Sequence, residues 1–210
     1  YAASRANLLV ESMPNYVFAQ VDITDELALD KLFTDYKPEG IIHFAAESNV
    51  DKSIERPDAF ISTNVMGTNI LLRLALKHKV LRFHQISTDE VYGSLEINES
   101  AFTEVHPLAP NNPYSASKAA ADLLVRSYHK TYGLNTVITR CSNNFGPNQD
   151  DTKLIPRFIK KLKAGEKVPL YGDGLQRRDW LHVSDHVSAI DLVFNNGKAG
   201  EIYNVGGTHE

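Results

Sequence analysis

The sequence predicts an α/β fold organised as a doubly wound parallel sheet. Short runs of apolar and β-branched residues alternate along the chain with segments whose apolar residues recur at helical spacing. One run, residues 41–46, is almost continuously apolar, as expected of a strand covered on both faces. The chemically interesting residues follow strands, at Asp22 and Ile23, at 45–48, at 88–90 and at 142–144. Open parallel sheets bind their ligands at that edge.

The elements are expected as follows. Residues 16–23 (YVFAQVDI) form a strand. Thr24 caps a helix with Asp25 and Glu26 at its positive end and Leu29, Leu32, Phe33 and Tyr36 on its buried face. Residues 41–46 form the next strand. Pro57 opens a helical segment, and residues 64–77 carry an apolar stripe wide enough for burial on two sides. A strand over 80–88 leads into a long loop containing Pro107 and Pro110, and loops of this length are often functional. Asn112 as cap and Pro113 at the first position start a helix that Gly133 ends. A strand over 135–141 follows, then an amphipathic helix marked by Leu154, Ile155, Phe158, Ile159 and Leu162. Beyond it come a short strand over 168–171, a Ser184-capped helix burying Val187, Ile190, Val193 and Phe194, and a last strand over 202–205.

Net charge −4 and pI near 6.1 argue against a nucleic-acid partner. The single cysteine, Cys141, allows no intrachain disulfide and fits a reducing, cytoplasmic compartment. No unbroken apolar run approaches the roughly 20 residues of a membrane helix, so no membrane association is expected. The eight histidines show no metal-ligand spacing, so no metal is expected; His43 and His84 read as hydrogen-bonded core residues.

The chemistry centres on residues 86–93 (ISTDEVYG). Thr88, Asp89 and Glu90 stand where an apolar strand ends. Tyr114 and Lys118, four apart on a helix, share one face, and an ammonium beside a phenol lowers the phenol's pKa. The YxxxK spacing alone marks packing more often than chemistry, and an Asp-Glu pair alone is usually a solvated turn. Their combination after a strand ending in Ser87-Thr88 favours catalysis. Two adjacent carboxyls pushed to opposite protonation states supply an acid and a base.

These residues, with Val21-Asp22-Ile23, HFAAES (43–48), YSASK (114–118), CSNNFGP (141–147), KLIP (153–156) and Arg178-Asp179-Trp180, resemble the extended short-chain dehydrogenase/reductases over essentially the whole chain. Within them the chain is most similar to the nucleoside-diphosphoglucose 4,6-dehydratases. Thr-Asp-Glu is the more specific motif, because epimerase relatives lack the adjacent pair. The resemblance implies a Rossmann-type sheet, NAD as cofactor, and dehydration of a nucleotide sugar, dTDP-glucose first, to the 4-keto-6-deoxy product. It implies Thr88, Asp89, Glu90, Tyr114 and Lys118 as catalytic residues. NAD contacts carry over to Asp22, Ile23, Ala45, Ala46, Ser48, Thr63, Ser87, Tyr114, Lys118 and Asn144. Substrate contacts carry over to Ser48, Thr88, Asn143, Lys153, Leu154, Pro169, Tyr171 and Arg178. On the residues alone, Arg178 is equally a diphosphate fork or a surface partner of Asp173 or Asp179. A related 4-epimerase, a decarboxylase or a non-catalytic fragment are the alternatives.

The family's glycine-rich phosphate loop is absent, and the chain opens on Tyr1 rather than Met. The sequence is therefore expected to be truncated at both ends. Residues 1–150 would carry the NAD-binding domain without its first strand, and 151–210 part of an interleaved substrate-binding domain. The wide stripe over 64–77, with the Ala-rich helix from Tyr114, is expected to pack in a homodimer.

Overall fold

The computed structural model describes residues 13–96, 99–170 and 172–207. The described strands are β1 (Gly40–His43), β2 (Arg82–Thr88), β3 (Thr136–Cys141), β4 (Asn143–Phe145), β5 (Trp180–His182) and β6 (Ile202–Val205). The helices are α1 (Glu26–Tyr36), α2 (Val50–Glu55), α3 (Pro57–Lys77), α4 (Pro113–Tyr132), α5 (Leu154–Lys163) and α6 (Val183–Asn196), with a 3₁₀ turn over Asp89–Tyr92. Four strands form one parallel sheet in the order β1-β2-β3-β6, and β4 pairs with β5 in a small parallel sheet of its own.

Register fixes the two faces of the main sheet. Phe83 and Ile138 pack with Leu71, Leu72 and Leu74 of α3, Val125 of α4, and Leu29 and Phe33 of α1. Each such aliphatic or aromatic side chain contributes about 1.5–3 kcal/mol on full burial. The opposite face carries His84, stacked on Phe194 of α6 with ring centres 6.4 Å apart. Helices thus cover both faces, as the alternation predicts. Arg82 fastens α6 to β2 by donating to the carbonyls of Phe194 and Gly197 at its C-terminal end.

The start of α4 follows its sequence closely. The Asn112 side chain accepts from Ser115 N at 2.8 Å, while Ser115 Oγ accepts from Asn112 N at 3.3 Å. This reciprocal cap satisfies two backbone donors that a helix start leaves open. Gly133, at φ +71°, ends the helix in the left-handed region.

Several expectations change. Residues 16–23 form no strand among the described residues; Val21 and Ile23 instead pack against the core as loop residues. Residues 44–46 leave the sheet once β1 ends, and residues 168–170 form no strand among the described residues. Tyr171 lies outside the described residues. Asp25 caps α1, because the Thr24 hydroxyl is donated to Asp22. His182 caps α6, accepting from Ser184 N. That helix buries His186, Ile190 and Val193, whereas Val187 is 55% exposed on its outer side. Helix α5 keeps its amphipathic pattern but buries no residue fully.

Helix α3 is longer than the expected segment: 21 residues, with a π-helical stretch over Ile61–Gly67. By length and composition it is apolar enough to cross a membrane, although polar residues interrupt its apolar run. About half of its most apolar stretch is buried, between the sheet and its neighbouring helices. That packing buries Ile70, Leu71, Leu72 and Leu74 and leaves Ile61 and Met66 about half exposed.

Asn64, in the π-helical stretch and 1% exposed, ties the loop after β1 to the helices. It accepts from Glu47 N at 2.8 Å and donates to Glu47 O at 2.9 Å and Ser117 Oγ at 2.8 Å. Asn64→Ala strands these groups without partners, so the expected cost is about 2–4 kcal/mol in urea denaturation.

Candidate active site

Three neighbouring strands stop at one edge of the sheet. Thr88, the last residue of β2, lies in register with Cys141, the last of β3, and β1 ends beside Gln85. The loops that follow enclose a cleft of about 340 Å³. β1 contributes Phe44, Ala46 and Ser48; β2 contributes Ser87 to Glu90; helix α4 contributes Tyr114 and Lys118. From beyond β3 come Ser142, Asn143 and Asn144, with Lys153 and Leu154 at the start of α5.

The acid–base pair stands in the 3₁₀ turn. The Thr88 hydroxyl accepts from Glu90 N at 3.2 Å and donates to Asp89 Oδ1 at 3.3 Å, which caps the turn. Asn112 Nδ2 donates to Glu90 Oε2 at 3.4 Å. Burial, then the Glu90 charge, then that of Asp179, push the Asp89 carboxyl up to about 6. The pair therefore faces the cleft as one carboxyl that readily holds a proton beside a second carboxyl.

Tyr114 and Lys118 share the cleft, but the expected effect of the lysine on the tyrosine is not found. Lys118 Nζ donates to Ile86 O at 2.7 Å, inside the sheet edge. Burial, followed by the Glu90 charge, moves the Tyr114 phenol above its ordinary value. Burial also pushes Lys118 downward, against the pull of the Asp122 carboxylate. Helical spacing placed the two side chains on one face; the backbone carbonyl of a neighbouring strand then claimed the ammonium.

The remaining predicted residues divide. Asp22, Ile23, Ala45, Thr63, Pro169 and Arg178 do not line the cleft. The Asp22 carboxylate accepts from Thr24 N and Oγ1 in a local turn. Arg178 is exposed and donates to Arg177 O at 2.8 Å; among the described ion pairs it has neither Asp173 nor Asp179 as partner. His43 and His84 are buried and bonded to Thr68 and Thr139, as expected.

Sequence reasoning missed Phe44, Gln149 and Trp180 as lining residues. Gln149 Nε2 donates to Asn144 O at 2.7 Å. Trp180 reaches the cleft because β5 pairs it with Asn143; its place in the Arg-Asp-Trp motif was the available signal. His186 was missed as well: its Nδ1 bonds Asn144 Oδ1 at 2.7 Å and so fixes that amide.

The sequence profile of the GDP-mannose 4,6-dehydratase family matches residues 2–210. The chain belongs to that family. Within it, the chain is 49% identical to a dTDP-glucose 4,6-dehydratase of Haemophilus influenzae, over all of this chain and 65% of that one. It thus spans less than two thirds of that relative's length. A dTDP-glucose 4,6-dehydratase of Streptomyces venezuelae, solved with NAD bound, superposes with a TM-score of 0.92 at 46% identity, over 97% of this chain and 62% of the other. A UDP-glucose 4-epimerase of Thermotoga maritima is more distant, at 31% identity and TM-score 0.85, over 91% and 63% of the two chains. The Rossmann-type sheet is therefore shared across the family and its neighbours.

The Asp89 carboxyl has a direct stability consequence. The folded protein holds this proton more tightly than the unfolded chain, whose aspartate titrates near about 3.9. The difference favours the fold below that value and is lost as pH rises through about 6. Asp89→Asn is therefore expected to raise stability at pH 8 by about 1–2 kcal/mol and to change it little below about pH 4. Thermal melts across pH measure both.

Proposed function

We propose that the protein carrying this chain dehydrates a nucleoside-diphosphate glucose, dTDP-glucose first, to the 4-keto-6-deoxy sugar nucleotide. The observation that carries the reading is Asp89, its carboxyl raised to about 6, beside Glu90 in the cleft that also holds Tyr114 and Lys118.

The residues fit NAD as cofactor. Ala46, Ser48 and Ser142 leave the strand ends open to close approach, and the buried Ser142 hydroxyl has no hydrogen-bond partner. Ala46, Ser48, Ser87, Tyr114, Lys118 and Asn144 line the cleft and would hold the cofactor, which when bound accepts a hydride and later returns it; Asp22, Ile23, Ala45 and Thr63, outside that lining, are assigned to it by family resemblance. Ser48, Asn143, Lys153 and Leu154 line the cleft where the sugar nucleotide would lie; Pro169, Tyr171 and Arg178 are assigned to the substrate by family resemblance.

Thr88 and Tyr114 address the C4 hydroxyl, and Tyr114 takes its proton. With its pKa held high, Tyr114 is a neutral phenol until positive charge stands beside it. The resulting 4-ketone acidifies the C5 proton. Glu90 removes that proton, and Asp89 gives its own to the departing C6 hydroxyl, which leaves as water. The adjacent acids separate this reading from a 4-epimerase, whose reaction inverts C4 and leaves the C5 proton and the C6 hydroxyl in place. We further propose residues 1–150 as the NAD-binding unit, 151–210 as part of a substrate-binding unit, a cytoplasmic location for the free Cys141 thiol, and a homodimer through α3 and α4.

Incubating the full-length protein with dTDP-glucose and NAD tests the reaction by mass spectrometry. A product lighter by one water supports it; an isomer of unchanged mass or release of carbon dioxide overturns it. Tyr114→Phe should slow turnover about 10²-fold or more. For assembly, light scattering is expected to give twice the monomer mass, and a monomer at high concentration refutes the dimer.

A further inference from the structure

Arg140 on β3 is 3% exposed and lies on the sheet face that α4 covers. Its Nε donates to Asp122 Oδ2 of α4 at 2.9 Å, and its Nη1 donates to the Tyr92 hydroxyl at 2.8 Å. The guanidinium carbon also stands 4.8 Å from the centre of the Tyr92 ring. Tyr92 in turn donates to Asn204 Oδ1 of β6 at 2.8 Å. Asn204 holds the long loop, through Phe102 O at 3.1 Å and Glu104 Oε1 at 2.8 Å. One run of contacts, buried at Arg140 and more open at Asn204, therefore joins α4, β3, the 3₁₀ turn, β6 and the loop.

A buried ion pair is a poor way to gain stability, since well-packed apolar residues of similar volume often serve as well or better. Asp122, Arg140 and Tyr92 do not line the cleft. What they fix is the turn: Tyr92 is its last residue, and Asp89 is its first. Thr88 caps the near end, and at the far end Val91, Ala119, Phe102 and Leu108 pack around Tyr92. Gly93, at φ +98°, then reverses the chain against Ala109 O, where a side chain would clash. A single turn held at both ends has little freedom to absorb a shift at either one.

We propose that Arg140, braced by Asp122 and acting through Tyr92, is a positioning residue that aims Asp89 at the leaving oxygen. The inference rests on the dehydratase reading above. In the step concerned, the C5–H pair becomes the C5–C6 double bond as Glu90 takes the proton. The C6–O bond breaks, and its oxygen takes the Asp89 proton and leaves as water. Misplacing a catalytic group by about 1 Å costs on the order of 10²-fold.

The test uses the full-length protein, two variants and two substrates. Tyr92→Phe removes one hydroxyl and keeps the ring, which stacks on Phe102 at 4.9 Å. Arg140→Lys keeps a charge for Asp122 but loses the fork that reaches Tyr92 as well. The substrates are dTDP-glucose and its 6-deoxy-6-fluoro analogue. Fluoride leaves as a weakly basic anion with little need of the Asp89 proton, while hydroxide requires it; Glu90 acts alike in both. Both variants are expected to lose water about tenfold or more slowly, with fluoride release lowered by no more than about threefold. Equal losses on both substrates, or no loss, overturn the proposal. A Tyr92→Phe protein that does not fold shows a purely structural hydroxyl and overturns it too. A wild-type protein that releases neither water nor fluoride instead removes the dehydratase reading itself.

Discussion

β2 is hydrogen-bonded along both edges, to β1 and to β3, and it ends at Thr88 in register with Cys141. That shared stopping point places most of the cleft. Beyond it the backbone of β2 tightens into the turn that carries Asp89 and Glu90, while β3 releases Ser142 to Asn144 on the neighbouring side. A parallel register of this kind does not slide freely. A slip of one residue would exchange the faces of every side chain on the strand, turning Phe83 away from the α3 core and His84 away from α6.

Polar groups are unusually concentrated where β2 meets α3 and α4. Asn64, Ser117, Lys118, Asp122 and Arg140 are all nearly inaccessible to solvent. Buried groups of this kind cost free energy unless bonded, and most of these are bonded to one another or to strand carbonyls. The arrangement couples packing to electrostatics. The burial that orients Lys118 toward Ile86 also pushes its pKa down, and the enclosure that raises Asp89 raises Tyr114 as well. Enclosure thus favours the uncharged form of all three groups, holding the Asp89 and Tyr114 protons while loosening that of Lys118.

The second half of the chain completes the cleft from a different direction. β4 and β5 form their own short parallel pair, which sets Trp180 against Asn143. Helix α6 then brings His186 to the Asn144 amide, and β6 returns to the main sheet, where Asn204 meets Tyr92. Residues far apart in sequence thereby stiffen the same few side chains at the carboxyl edge of the sheet.

Alternation of strand and helix periods, the Asn112-Pro113 start of α4 and the Gly133 stop are local signals, and the sequence by itself determined those elements. It also marked Thr88, Asp89 and Glu90 at a strand end and Tyr114 and Lys118 on one helix face, because strand ends and helix periodicity are short-range properties; the fold brings the two sets into one cleft. The tertiary structure alone decided the rest. Residues 16–23 have the composition of a strand but form none among the described residues, and strand pairing is a property of two segments. Lys118 chose a carbonyl of β2 over the tyrosine on its own helix, because a buried ammonium takes the strongest acceptor that packing brings within reach. His186 joined the site through helix docking, which leaves no mark on residues read one window at a time, and the motif that marks Trp180 does not show the ladder register that brings it to Asn143.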